Sequence, residues 1–355
     1  PAKASTCGPK GNKDFTCKWR LSLLAGGENL VACTAMNVSF FHVFPRRVAV
    51  ALVALLFIAP FAQADEAPVV PKNIIFLIGD GMGLTQVSGA MAISDEPLAL
   101  ARAQIIGLMN TTAANAYVTD SAAAGTALAA GVKTNNGVIG QTPVGDEVPS
   151  LFDYAVEAGK STGVVVTSAI THATPAAFTG HNKTRKDEED LAADYLDSRP
   201  EVAIGGGRQF FEQREDGKFL PDTFVAQGYT IAYTLDEVLE APTSSPLLGL
   251  LADKAMPRMT EGRGDMLPLS TEKALEILGN NPQGFVLMVE GSQIDWGGHA
   301  NDWEYVSTEL FDFDQVVKIA FDYADAHPGT LVIVTADHET GGMSLVGGDL
   351  KDKSV

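Results

Sequence analysis

Short apolar runs of strand length recur along the chain at Ile74–Ile78, Val164–Thr167, Val202–Ile204, Phe285–Val289 and Leu331–Thr335, with helix-like stretches between them. Runs that are apolar throughout, instead of alternating, suit strands covered on both faces, so the alternation predicts an α/β fold with a largely parallel, two-sided sheet. The pattern predicts helices over Ser121–Ala130, closed by Gly131; over Thr271–Leu278, with Ser270 as N-cap and Gly279 as terminator; and around Tyr305–Ala326. The segment 210–267 reads as irregular and as a peripheral insert. In open α/β sheets, sites form beyond the carboxyl ends of the strands.

Ahead of the first of these runs the pattern changes. Residues 1–35 lack periodicity and turn punctuation, which reads as an unstructured extension or upstream sequence. From Met36, the first methionine, a secretory pattern follows: Arg46-Arg47, the apolar run Val48–Phe61, and Ala62-Gln63-Ala64 as a small-x-small end. The expectation is a signal peptide over 36–64, cleavage after Ala64, a periplasmic or secreted product of residues 65–355, and no stable membrane span, since the run is shorter than the roughly 20 residues a spanning helix needs. Cys7, Cys17 and Cys33 all precede Met36. Any metal site in the exported body is therefore built from His and carboxylates. With a net charge of -19 over 355 residues, the chain has no nucleic-acid surface to offer, and a site for phosphate esters has to concentrate positive charge locally, most simply as metal ions.

The residues that carry chemistry sit where strands end. Asp80 follows the first apolar run inside Gly79-Asp80-Gly81-Met82-Gly83. Ser121 opens the alanine-rich stretch Asp120-Ser121-Ala-Ala-Ala-Gly-Thr-Ala: it reads either as an N-cap or as a nucleophile at the positive end of a helix. After Val164–Thr167 come Thr171, His172, Thr174 and Arg185, offering hydroxyl and imidazole groups for a cation and a planar fork for phosphate oxygens. Glu290, Asp295 and His299 follow Phe285–Val289, and Asp337 and His338 follow Leu331–Thr335. Carboxylates leaving apolar strands without counterions are costly, which argues for cations between them.

Asp80, DSAAAGTA at Ser121, HATP at His172, EGSQIDWGGH at Glu290 and TADHE at Asp337 together resemble the alkaline phosphatase family, in the same order, over roughly Lys72–Gly342. The resemblance implies a three-layer sandwich around a central, mostly parallel sheet, and hydrolysis of small-molecule phosphate monoesters by a homodimer through a phosphoserine at Ser121. It implies one zinc held by Asp80, Asp337 and His338, a second by Asp295 and His299, magnesium at Asp80, Thr174 and Glu290, and Arg185 clamping the phosphoryl group with Asp120 orienting it. His172 and Trp296 stand where the best-known bacterial pattern has an acidic residue and a lysine, a combination similar to some marine bacterial relatives. It leaves the magnesium site short of carboxylate charge. The family completes its second zinc with a further histidine beyond the TADHE segment; no histidine follows His338, so a C-terminally incomplete domain is expected, with His181 and His327 read as a loop residue and a helix-end cation. The rival readings are a sulfatase-like or phosphodiesterase relative, and a phosphate-binding protein that does not turn over.

Overall fold

The computed structural model describes residues 70–348; the extension and signal-peptide expectations for residues 1–64 lie outside them. Seven strands, β1 (Asn73–Gly79), β2 (Ser161–Ala169), β3 (Val202–Gly206), β4 (Thr230–Ala232), β5 (Leu247–Ala252), β6 (Phe285–Gly291) and β7 (Thr330–Ala336), form one sheet in the order β4-β5-β3-β2-β6-β1-β7. Every pairing is parallel.

The helices of the described residues are α1 (Leu84–Ile93), α2 (Ser121–Ala130), α3 (Leu151–Glu157), α4 (Ala173–Thr179), α5 (Glu188–Ser198), α6 (Arg208–Glu212), α7 (Leu220–Ala226), α8 (Leu235–Glu240), α9 (Met266–Leu278), α10 (Gln293–Ala300) and α11 (Trp303–Ala326). Strand residues alternate between two separate cores. Ile75, Leu77, Leu287 and Val289 pack with α1, α8, α9, α10 and α11, whereas Phe76, Ile78, Val286 and Met288 pack with α2 to α7. This is the expected three-layer sandwich, and it explains the unbroken apolar runs: both faces of the sheet are buried.

Two local expectations are corrected, and one open reading is decided. The segment 210–267 is no irregular insert, because β4 and β5 extend the sheet there. β4 is only three residues long, and Leu247–Ala252 is an apolar run that periodicity alone does not separate from a helix. Helix α9 starts at Met266, so Ser270 is a buried interior residue and not the cap. Pro268 is tolerated there, since amides of a first turn have no intrahelical acceptor. Finally, the N-cap of α2 is Asp120, whose carboxylate accepts from the Ala123 amide, and Ser121 is the first helical residue.

Parallel pairing brings the strand ends into line. Ile78 lies beside Glu290 on β6 and Thr335 on β7, so Asp80, Glu290 and Asp337 leave the sheet side by side. No helix among the described residues is long and apolar enough to cross a membrane.

Candidate active site

Four carboxylates converge at the carboxyl ends of β6, β1 and β7: Asp80, Glu290 and Asp337 from the strands and Asp295 from the first turn of α10, all at most 5% exposed. Gly81 makes this convergence possible. Its φ of +69° turns the chain after Asp80, and a Cβ there would lie 2.6 Å from the Asp295 Cα. The Gly81 amide donates to Asp337 Oδ1 at 3.0 Å, and the His338 amide donates to the same oxygen at 2.8 Å.

Around Asp80 two groups of candidate ligands form. Ligating atoms of Asp80, Asp295 and His338 all lie within 4.8 Å of one another, as do those of Asp80, His172 and Glu290. Asp80 is common to both. His338 Nε2 also lies 3.3 Å from Asp337 Oδ2, and 3.7 Å from Asp80 Oδ1, which brings together the three side chains expected for one zinc. His299 follows Asp295 by one helical turn, 3.5 Å away, but its side chain is 72% exposed. Thr174 is buried on α4 beside Glu290. His181 and His327 bond the carbonyls of Val148 and Tyr323 and belong to neither group.

Many polar atoms of this cluster are left unused by the protein itself. Both Asp80 oxygens, Glu290 Oε1, Asp337 Oδ2, Thr174 Oγ1 and His172 Nδ1 are buried without a hydrogen-bond partner. Burial and the neighbouring charges of Asp337, Asp295 and Glu290 push the Asp80 carboxyl well above its usual range. Burial pushes Glu290 up to about 7, against the hydroxyl that Ser292 donates to it, and raises Asp337 against the opposing pull of His338. Orphaned carboxylate and hydroxyl oxygens in a thiol-free cage fit divalent cations of the zinc and magnesium type.

Ser121 lies at the edge of the cage, 4% exposed, with Oγ 3.4 Å from His338 Nε2. The alanine-rich sequence of α2 brings it there: Gly125 passes so close to α4 that a Cβ would meet the Thr174 Cα at 3.2 Å. Asp120 caps the helix through one oxygen and through the other takes the Gly137 amide at 3.0 Å and Arg185 Nη1 at 3.3 Å. Arg185 Nη2 donates to His172 Nε2 at 3.0 Å. A guanidinium only donates, so this imidazole is neutral, in keeping with a pKa lowered to about 3 by burial and by Arg185. Trp296 meets the His172 ring edge to face at 6.0 Å.

Sequence reasoning passed over the residues that hold the ligands. Ser292 Oγ donates to Glu290 Oε2 at 2.6 Å and itself accepts from the Ser168 amide. Gln293 ties α10 to the Thr167 and Met256 carbonyls and receives the Tyr305 hydroxyl. Thr340 donates to Asp295 Oδ1 at 2.5 Å. Their signal was proximity: Ser292 and Gln293 lie inside the segment that carries Glu290 and Asp295, and Thr340 two residues past His338.

Residues 71–355 match the family model for alkaline phosphatase. Alkaline phosphatases 3 and 4 of Bacillus subtilis (strain 168) are 40% and 39% identical over 291 and 302 residues, which cover 77% and 80% of this chain and 62% and 64% of theirs. The chain thus spans less than two thirds of the length of these relatives. Among solved structures, alkaline phosphatase from the Antarctic bacterium TAB5 superposes with a TM-score of 0.76 at 40% identity, covering 79% of this chain and 82% of that one. A variant of the TAB5 enzyme with a histidine replaced by aspartate, and Mg bound in its M3 site, gives 0.74 at 40% identity over 77% and 79% of the two chains.

The raised carboxyls have a consequence for stability. A carboxyl whose pKa is higher folded than unfolded stabilises the fold below its unfolded value near 4, and that contribution is lost as pH rises through the folded value, about 7 for Glu290. Metal-free protein is therefore predicted to melt at progressively lower temperature from about pH 5 to about pH 8, and added zinc or magnesium to raise the melting temperature by an increment that grows over the same range. Differential scanning fluorimetry measures both; an increment independent of pH would show that these carboxyls are not the ligands.

Proposed function

The chain belongs to the alkaline phosphatase family, and we propose that it hydrolyses phosphate monoesters to an alcohol and inorganic phosphate through a phosphoserine at Ser121. The observation that carries this reading is the position of Ser121 Oγ, relieved of capping by Asp120 and 3.4 Å from His338 Nε2 beside the carboxylate cage.

The donor set suits zinc at Asp80, Asp337 and His338, a second zinc at Asp295 and His299, and magnesium at Asp80, Thr174 and Glu290. The aspartate variant of the TAB5 enzyme holds Mg in its M3 site, which supports a magnesium site in this chain. Bound in these sites, the cations supply the positive charge that favours ionisation of a serine hydroxyl and offsets the charge of the phosphoryl and leaving oxygens.

Within that field the side chains divide the work. Ser121 Oγ loses its proton to solvent and attacks phosphorus; the bond from phosphorus to the ester oxygen breaks, and the alcohol departs after taking a proton from solvent, leaving the phosphoryl group on the serine. Water then attacks the same phosphorus and loses a proton to solvent, the bond from phosphorus to Ser121 Oγ breaks, and the serine oxygen takes a proton back. Two in-line displacements retain configuration. The first amides of α2 face the transferred group, where the helix end favours negative charge. Arg185 offers donors to the phosphoryl oxygens while Asp120 and His172 hold its fork. Trp296, against His172, borders the substrate.

We also propose export to the periplasm or medium, on the secretory pattern of residues 36–64, and a homodimer. The segment before Ser121 exposes Ile105, Ile106, Leu108, Tyr117 and Val118, a surface that a second copy covers. Sedimentation velocity is predicted to give the mass of two chains; a monomer at micromolar concentration contradicts the dimer.

For the central reading, Ser121→Ala is expected to lower the turnover of p-nitrophenyl phosphate by several orders of magnitude at unchanged melting temperature. Wild-type rates in that variant would refute the covalent mechanism and favour direct attack by water.

A further inference from the structure

Thr340 is buried and tightly placed. Its carbonyl accepts from Gln86 Nε2 at 2.7 Å, and the helix α10 backbone passes so close that a Cβ on Gly298 would lie 2.7 Å from that same carbonyl oxygen. Its hydroxyl touches two side chains, Asp295 Oδ1 at 2.5 Å and His338 Nδ1 at 3.1 Å. A carboxylate only accepts, so the single hydroxyl proton goes to Asp295, and Thr340 Oγ1 accepts from His338 Nδ1–H. The Glu339 carbonyl, 3.3 Å from the same nitrogen, can likewise only accept. Both neighbours of Nδ1 therefore require the proton there. That leaves Nε2 with a free lone pair, and Nε2 is the atom 3.3 Å from Asp337 Oδ2, 3.7 Å from Asp80 Oδ1 and 3.4 Å from Ser121 Oγ.

We propose that Thr340 is a positioning residue that couples the ligands expected for two different cations. One hydroxyl fixes the His338 tautomer that turns Nε2 into the cage, and it occupies Asp295 Oδ1 so that the other carboxylate oxygen is the one presented. The chain His338 Nδ1–H to Thr340 Oγ1–H to Asp295 then makes the orientation of each ligand depend on the other. This rests on the cation-holding role proposed above for His338 and Asp295.

The test is zinc binding to chelator-stripped protein, read by competition with a chromophoric chelator and free of any assay of turnover, for wild type, Thr340→Val and Thr340→Ser. Valine keeps the shape and removes the hydroxyl; serine keeps the hydroxyl. Thr340→Val is expected to weaken zinc binding about 10–100-fold, and Thr340→Ser to bind close to wild type, with circular dichroism establishing that each variant is folded. Thr340→Ala carries the same prediction should the valine variant not fold. Wild-type affinity in folded Thr340→Val or Thr340→Ala overturns the proposal, as does an equal loss in Thr340→Ser. Wild-type protein that takes up no zinc at all overturns instead the cation-binding reading of the site, and this coupling with it.

Discussion

Four acidic side chains, Asp80, Glu290, Asp295 and Asp337, lie buried against one another where β6, β1 and β7 end, and the arrangement around them answers to that concentration of like charge. Removing an ionised carboxylate from water costs several kcal/mol even after relaxation, and here the neighbouring acids raise the cost further for Asp80, whose carboxyl is pushed well above its usual range. The protein's own donors meet only part of this demand. Gly81 and His338 amides satisfy one oxygen of Asp337, Ser292 one oxygen of Glu290, and Thr340 one oxygen of Asp295. The oxygens left over face a common interior, and both of Asp80's are among them. Cations are the remaining counter-charge that such a site can use.

The parallel sheet is what permits this concentration. Its register places strand ends level with one another, so residues far apart in sequence meet without long loops, and the helices behind the sheet hold the backbone against the repulsion between their charges. The second helical layer is held close by small side chains: alanines and Gly125 let α2 settle onto α4, which sets Ser121 beside His338. Asp120 performs two tasks with its two oxygens, capping α2 and anchoring Arg185. That double use frees the serine hydroxyl from the capping role its position would otherwise invite.

Much of this was legible before the structure. Apolar runs marked β1, β2, β3, β6 and β7, and the acidic, imidazole and hydroxyl groups that follow β1, β2, β6 and β7 are those the fold brings together. What escaped was of two kinds. β4 is too short and Leu247–Ala252 too uniformly apolar for a period to declare itself, so the far edge of the sheet reads as an insert in the sequence. The supporting hydroxyls and amides of Ser292, Gln293 and Thr340 carry no charge and match any turn or cap in a sequence; only their distances to Glu290 and Asp295 and to the Thr167 and Met256 carbonyls distinguish them. The solvent-facing side chain of His299 is likewise a matter of rotamer, which spacing along α10 does not encode.

Because Asp80 contributes an oxygen to both candidate ligand groups, a single substitution there bears on two cations at once. Native mass spectrometry of the zinc- and magnesium-loaded protein, wild type against Asp80→Asn, counts the bound ions directly. Sharing predicts that the variant, still folded, loses more than one cation at concentrations that saturate wild type. Loss of one ion alone, or of none, would contradict a site built around a common carboxylate.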